Sequence, residues 1–300
     1  MIYTCTVNPS LDYYLTFDSH IQGGVINRAV KEDFDAGGKG VNVSIVLNNL
    51  MIPNVALGFL GGFTKDYYLS FIKKCSYIEP LFTSIKDNTR INLKIFAGES
   101  IDINAKGPHI SDEEFDRFKK RLYRIYPGDI FVLSGNVQQE IAAPMIDLIH
   151  ELKHNEVKIV LDTDINFINS CLDASPYLLR INEEDAKRLT NGEDSMAAIE
   201  KIYENGAKNV IMPIVDRGSL FRCDEGFFRC LHSESESVNT TGMSDSMVAG
   251  YLYAIQKGAN SLEAFKYANA AAIATVLNDG LASRKATEYN FDLLKVEAIK

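Results

Sequence analysis

Six short apolar runs rich in β-branched residues, at 2–7, 55–60, 130–133, 157–161, 177–181 and 210–214, recur along the chain with helical patterns between them. Runs of that length predict strands buried on both faces. Val43, Val46, Leu47 and Leu50 stand at i, i+3, i+4 and i+7, the single apolar stripe of a surface helix. Residues 142–154, 183–190, 195–204, 244–256 and 261–278 read as helices too. Strands alternating with helices predict an α/β fold whose sheet is mostly parallel and covered on both faces. At 300 residues one large α/β domain takes up the whole chain, and no repeat, low-complexity tract or Pro-rich linker marks a boundary. Two polar, partly strand-like segments, near 13–34 and 88–104, interrupt the alternation. Excursions of this kind leave an α/β sheet where ligands bind, at the carboxyl ends of the strands, and predict a small lid.

Composition narrows the function classes. Hydrophobic residues make up 46% and charged residues 24%, ordinary globular usage. A net charge of −9 argues against a nucleic-acid-wrapping surface and leaves room only for a local basic pocket. The longest apolar stretch, 268–277, is too short to span a bilayer and contains Asn269, so no membrane association is expected. The sequence opens on a strand-like run with no basic segment and apolar signal core. Its five cysteines are odd in number, with no C-x-x-C pair, which fits a reduced, cytoplasmic protein without a zinc knuckle.

Three constellations carry chemistry. Asp35-Ala36-Gly37-Gly38-Lys39-Gly40-Val41-Asn42 places three glycines and a lysine at the start of a helix. Backbone freedom, free N–H groups and a mobile cation make such a turn a phosphate cradle. Its spacing is neither G-x-x-x-x-G-K-[ST] nor G-x-G-x-x-G, and structural turns of this composition are common. Asn239-Thr240-Thr241-Gly242-Met243-Ser244-Asp245-Ser246 delivers a carboxylate to the first turn of another helix, where Asp245 serves either as a cap or as a base beside an anion site. Thr89-Arg90-Ile91-Asn92 sets an arginine on a lid segment, able to grip a phosphate bidentately or simply solvated. A fourth pattern, His150-Glu151-Leu152-Lys153-His154, matches H-E-x-x-H, but it ends its helix and lacks a third ligand downstream, so no metal site is expected there.

Taken in order, these segments resemble the PfkB-type carbohydrate kinases of the ribokinase superfamily, in style the 1-phosphofructokinase and tagatose-6-phosphate kinase branch. The resemblance also rests on Asn8-Pro9-Ser10-Leu11-Asp12, Gly58-Phe59-Leu60-Gly61-Gly62, Leu133-Ser134-Gly135, Leu161-Asp162-Thr163 and Asn182-Glu183-Glu184. It implies a ribokinase-like three-layer α/β/α core with a small β-sheet lid shared across a homodimer. It implies transfer of phosphate from ATP, with Mg²⁺, to a hydroxymethyl group of a ketohexose phosphate. By matching position, Asp12, Gly37, Gly38 and Asn42 hold sugar hydroxyls, and Lys39 and Arg90, with Arg28, grip the phosphate already on the sugar. Asp245 is the base, with Gly242 and Ser244 in the anion hole. Asn182, Asp185, Gly218, Met243 and Asn269 lie on the nucleotide side.

The departures from the family cluster on that nucleotide side. Gly-Ala-Gly-Asp becomes Gly242-Met243-Ser244-Asp245, Asn-x-x-Glu becomes Asn182-Glu183-Glu184-Asp185, and the nucleotide loop reads Pro213-Ile214-Val215-Asp216-Arg217-Gly218. If Ser244 must keep a glycine-like positive φ, the turn is strained by on the order of 1–2 kcal/mol. If the turn has instead relaxed, one amide no longer points at the phosphoryl group and a lysine or arginine must replace it; on this erosion Ser244→Gly is expected to raise turnover. The same erosion supports a competing reading, a sugar-phosphate and nucleotide-binding regulator with weak or no turnover.

Overall fold

The computed structural model describes residues 1–192, 194–214, 218–231 and 240–299. In chain order, β1 (Ile2–Thr6), β2 (Ser10–Thr16) and β3 (Lys31–Gly37) precede α1 (Lys39–Asn49), β4 (Asn54–Gly61) and α2 (Gly62–Ile72). Next come β5 (Ile78–Pro80), β6 (Thr83–Ile85), β7 (Arg90–Phe96), β8 (Ser100–Ile103), α3 (Asp112–Arg121), β9 (Ile130–Ser134), α4 (Gln139–His154) and β10 (Lys158–Asp162). They are followed by α5 (Ile165–Asn169), β11 (Leu178–Arg180), α6 (Glu183–Leu189), α7 (Ser195–Glu204) and β12 (Val210–Ile214). The chain closes with β13 (Gly218–Cys223), β14 (Gly226–Leu231), α8 (Met243–Gln256), α9 (Ser261–Val276), α10 (Arg284–Leu293) and β15 (Lys295–Ala298).

The large sheet runs in the order β15-β14-β13-β12-β11-β10-β9-β1-β4-β5, with β6 added on β4. From β12 to β5 its pairs are parallel, and β13 to β15 form an antiparallel edge. Alternation along each strand builds two cores. Phe131 and Leu133 of β9 pack with Phe115, Phe118, Met145 and Leu148 on one face. Ile130 and Val132 pack with Leu47, Val248, Leu252 and Phe265 on the other. A sheet buried on both sides needs near-continuous apolar strands, the pattern these segments carry. The result is the three-layer ribokinase-like arrangement.

The lid is a four-stranded sheet, β3-β2-β7-β8, made from the two polar excursions. β2 pairs antiparallel with β3 and parallel with β7. The chain steps from β1 to β4 on one side and later enters β9 on the other side of β1. This reversal opens a crevice at the carboxyl ends of β1 and β9, the position at which open α/β sheets bind ligands. No helix among the described residues is long and apolar enough to cross a membrane.

Candidate active site

A cavity of about 560 Å³ occupies that crevice. Strand ends supply Thr6, Ser134, Asp162 and Arg180, the lid supplies Ser10, Asp12, Arg90 and Asn92, and the starts of α1 and α8 complete the wall. Many helices here cap their first turn with a side chain, as Ser111, Asp164, Asn182, Asp194, Asn260 and Ser283 do. α1 and α8 begin instead on Gly38 and Gly242, with φ of 131° and 79° and no side-chain cap. Their first N–H groups are left for an anionic ligand.

Asp245 sits in the first turn of α8 and is only 2% exposed. Its Oδ2 accepts a 2.8 Å hydrogen bond from Asn42 Nδ2 of α1, and the Ser244 hydroxyl donates to its Oδ1 at 3.3 Å. Burial pushes its carboxyl above the ordinary carboxylate range, and the Asp162 charge pushes the same way, against Lys39, the Asn42 bond and Arg180. A carboxylate made more basic than usual, beside a bare helix N-terminus, is equipped to take a proton from an alcohol while an anion rests on the amides.

Asp162 closes β10 and is likewise 2% exposed. Lys39 Nζ reaches both of its oxygens at 3.3 Å, and Arg180 Nη1, from β11, reaches Oδ1 at 3.4 Å. Thr6 Oγ1, Ser134 Oγ and Arg180 Nε are buried in the same wall without a hydrogen-bond partner among the described residues. Buried polar atoms without partners are rare, and those lining a cavity are natural ligand contacts.

On the lid side, Ser10 Oγ and Asn92 Nδ2 donate to Asp12 Oδ1 at 2.6 and 3.1 Å. Burial raises the Asp12 carboxyl, against those bonds and the charges of Lys94 and Arg90. Gly37 approaches Asp12 so closely that a Cβ would fall on the carboxylate. Arg90 lines the cavity, but its Nη1 and Nη2 donate to the carbonyls of Ala105 and Asn8 at 2.9 Å each, pinning the lid's return strand to the core. A second cavity, about 850 Å³ beneath the lid, shares Asp12, Asn42, Thr240 and Thr241 with the first and includes Gly37.

Asn182 and Asp185 reach the cavity at the start of α6. Asn182 caps the helix through the Asp185 N–H at 2.8 Å, and its amide donates to Asp185 Oδ2 at 2.7 Å. Four of the expected site residues line neither cavity. Arg28 lies exposed on the 17–30 crossing of the lid and lines neither cavity, because no strand or helix carries it inward. Asn269 is an internal tie between layers: its Oδ1 accepts from Ser219 at 2.6 Å and its Nδ2 donates to Phe265 O at 2.9 Å. Gly218 lines neither cavity and instead lets β13 meet the Cys230 carbonyl of β14. Met243, the first residue of α8, is half-buried against the core and lines neither cavity. Val215, Asp216, Arg217 and Asn239 lie outside the described residues.

Ser244 lines the first cavity without glycine-like strain. Gly242 alone in this turn has a positive φ, and Ser244 is helical, so no glycine-like strain exists there to relieve. Ser244→Gly is therefore expected to leave kcat at or below that of the parent protein, since it removes a hydrogen bond to Asp245 and adds glycine to a helix. A several-fold rise in steady-state turnover would restore the strained turn. In the H-E-x-x-H segment, His150 Nε2 faces Asp173 Oδ1 at 3.6 Å and His154 ends α4. Among the described residues, the one cluster close enough to hold a metal, Cys223, Asp224 and Glu225, lines neither cavity.

Two residues to which the sequence attached no role stand at the centre of this site, Asp162 and Arg180. The signal that finds them is topological: both close parallel strands at the switch-point crevice.

A lidded three-layer α/β/α sheet with two bare helix N-termini around a buried carboxylate defines a ribokinase-like phosphotransferase. Residues 7–287 match the pfkB family carbohydrate kinases, and the chain belongs to that family. It is 35% identical over 306 residues to the 1-phosphofructokinase of Borreliella burgdorferi, covering 100% of this chain and 99% of that protein. It is 32% identical to the 1-phosphofructokinase of Bacillus subtilis, covering 99% of each. Among solved structures, Escherichia coli phosphofructokinase-2 in complex with substrates and products superposes with a TM-score of 0.91 at 25% identity, over 97% of this chain and 98% of that one.

Proposed function

We propose that the chain, residues 1–300 working as one unit, is an ATP-dependent kinase that phosphorylates a hydroxymethyl group of a ketohexose phosphate. The names of the two bacterial relatives favour fructose 1-phosphate as acceptor over tagatose 6-phosphate and fructose 6-phosphate. The observation that carries the reading is Asp245: a buried carboxylate with raised basicity at the uncapped start of α8. In the reaction the acceptor oxygen bonds to the γ-phosphorus, the β–γ bridging bond breaks, ADP leaves and Asp245 receives the hydroxyl proton. The N–H groups that open α8 stabilise the transferring phosphoryl group, which asks the protein mainly for position and charge. Asp12, Gly37, Gly38 and Asn42 orient the sugar. Lys39 and Arg90 attract its phosphate, Arg90 by giving up carbonyl partners.

Mg²⁺ fits the donor set in the way it is usually held beside nucleotides, by one or two carboxylates together with phosphates and water. Asp185, at the cavity edge next to Asn182, is the carboxylate that would hold it, and the ion would neutralise charge on the donor phosphates. A coupled ADP-release assay with the three sugar phosphates, with and without Mg²⁺, tests the reading. ADP formation with one of them, abolished when Mg²⁺ is removed, is expected. Tight binding without ADP formation would point to the regulator instead, the reading supported by the altered anion-hole turn and nucleotide loop.

The lid is proposed to pair with a second copy, and the five free cysteines support a cytoplasmic setting. Ile21, Val25, Ile26, Val30, Phe96 and Ile103 are all exposed on the lid, a concentration of apolar side chains that a partner would cover. Sedimentation is expected to give twice the chain mass, and a monomer would remove the proposal.

A further inference from the structure

On the core side of this cavity, apart from Asp12 and Arg90 of the lid, the carboxylates Asp162 and Asp245 lie buried beside two cations, Lys39 and Arg180. An even arrangement gives each carboxylate one cation. Here both cations pair with Asp162, at 3.3 and 3.4 Å, while the hydrogen-bond partners of Asp245 are the neutral Asn42 amide and Ser244 hydroxyl. We propose that Asp162 is a positioning residue for the transfer step, holding Lys39 and Arg180 off Asp245 so that the base meets the acceptor hydroxyl without a paired cation. This inference rests on Asp245 being the base.

The physical reason is direct. A cation within about 4–6 Å of a carboxylate lowers its proton affinity by roughly 1–3 pH units, which would blunt a general base. The groups facing Asp245 are Lys39 and Asn42 from α1, Asp162 from β10, Arg180 from β11 and Ser244 on its own helix. From α9 the uncharged Thr275 bonds to Ser246 of this turn. The negative charge that offsets the two cations is therefore Asp162. Its two partners also differ in freedom. The Lys39 side chain is 41% exposed and Arg180 only 11%, so an arriving phosphoryl group can draw Lys39 away while Arg180 stays on Asp162.

The test is the pH dependence of kcat/KM in the full-length enzyme, with ADP release as readout. In Asp162→Asn, which keeps shape and loses charge, Lys39 is free to turn to Asp245. The acid limb is expected to move to lower pH by roughly 1–3 units, with the Mg²⁺ concentration for half-maximal rate unchanged. An acid limb that stays in place overturns the inference, and so does a strongly increased Mg²⁺ requirement, which would make Asp162 a metal ligand. Should Asp162→Asn fail to fold, Lys39→Met reads the same network from the other side. Its acid limb is expected to move to higher pH, and an unmoved or lowered limb overturns the proposal. Asp245→Asn separates this from failure of the underlying reading. If that variant keeps turnover and its acid limb, Asp245 is not the base. If it loses both while Asp162→Asn leaves the limb unmoved, only the role of Asp162 fails.

Discussion

Asp245→Asn is expected to lower kcat by roughly 10²–10⁴-fold, the usual worth of a positioned general base. The substitution keeps the shape and the contact with Asn42 while removing the proton acceptor. Acceptor and ATP affinities should change far less, because an interaction used mainly in the transition state shows in kcat more than in binding. The pH profile gives a second handle. Burial and Asp162 raise the carboxyl of Asp245, so the active, deprotonated form is lost as pH falls through a value above that of an ordinary aspartate. The parent enzyme should therefore lose activity on its acid side earlier than an exposed carboxylate would dictate, and the residual rate of Asp245→Asn should lack that limb. Near-parental kcat in the purified variant would assign the base elsewhere.

Strands β1, β4, β9, β10, β11 and β12 were legible in the sequence because a parallel strand covered on both faces must be apolar at successive positions, as Phe131, Val132 and Leu133 are. The antiparallel edge was not. β13 and β14 carry Arg222 and Arg229 among their apolar residues, so the run reads as mixed surface, whereas Arg222 is largely covered by Glu200 and Tyr203 of α7. The start of β3, with Lys31, Glu32 and Asp33, is exposed and held by its pairing with β2. The same distinction governs the site. Asp245, Asn42, Gly38 and Asp12 could be found because glycine turns that feed helices, and a resemblance to a family, mark them locally. Asp162 was marked only as part of the family-like Leu161-Asp162-Thr163 with no role attached, Arg180 simply ends an apolar strand, and only the strand order brings the two to one cavity. Arg90 was legible as an arginine, but its bonds to the carbonyls of Asn8 and Ala105 come from the return path of the lid. Asn269 was misread for a related reason: a buried helical asparagine looks poised for a ligand until the strand carrying Ser219 is laid against it.

Gly37→Ala is expected to damage acceptor binding through Asp12 rather than through the fold. Gly37 does not hold a left-handed conformation, so its backbone accepts alanine. The difficulty is space, because the new methyl group falls on the Asp12 carboxylate, already fixed by Ser10 and Asn92. The carboxylate must swing away, breaking bonds at 2.6 and 3.1 Å and withdrawing from the sugar hydroxyls it is proposed to hold. A hydrogen bond to a charged group is worth about 1.5–3 kcal/mol, which corresponds to a rise in acceptor KM of roughly 10- to 100-fold. The ATP KM should hardly move, because Asp12 and Gly37 lie on the lid side of the cavity, away from Asn182 and Asp185. Thermal denaturation should show only a modest loss of stability. Asp12→Ala should produce a KM increase of similar size, and the double variant should add little to either single change, since both remove the same contact. Fully additive losses would mean that Gly37 acts on the sugar directly, through its own backbone, and that the close approach to Asp12 is incidental to binding.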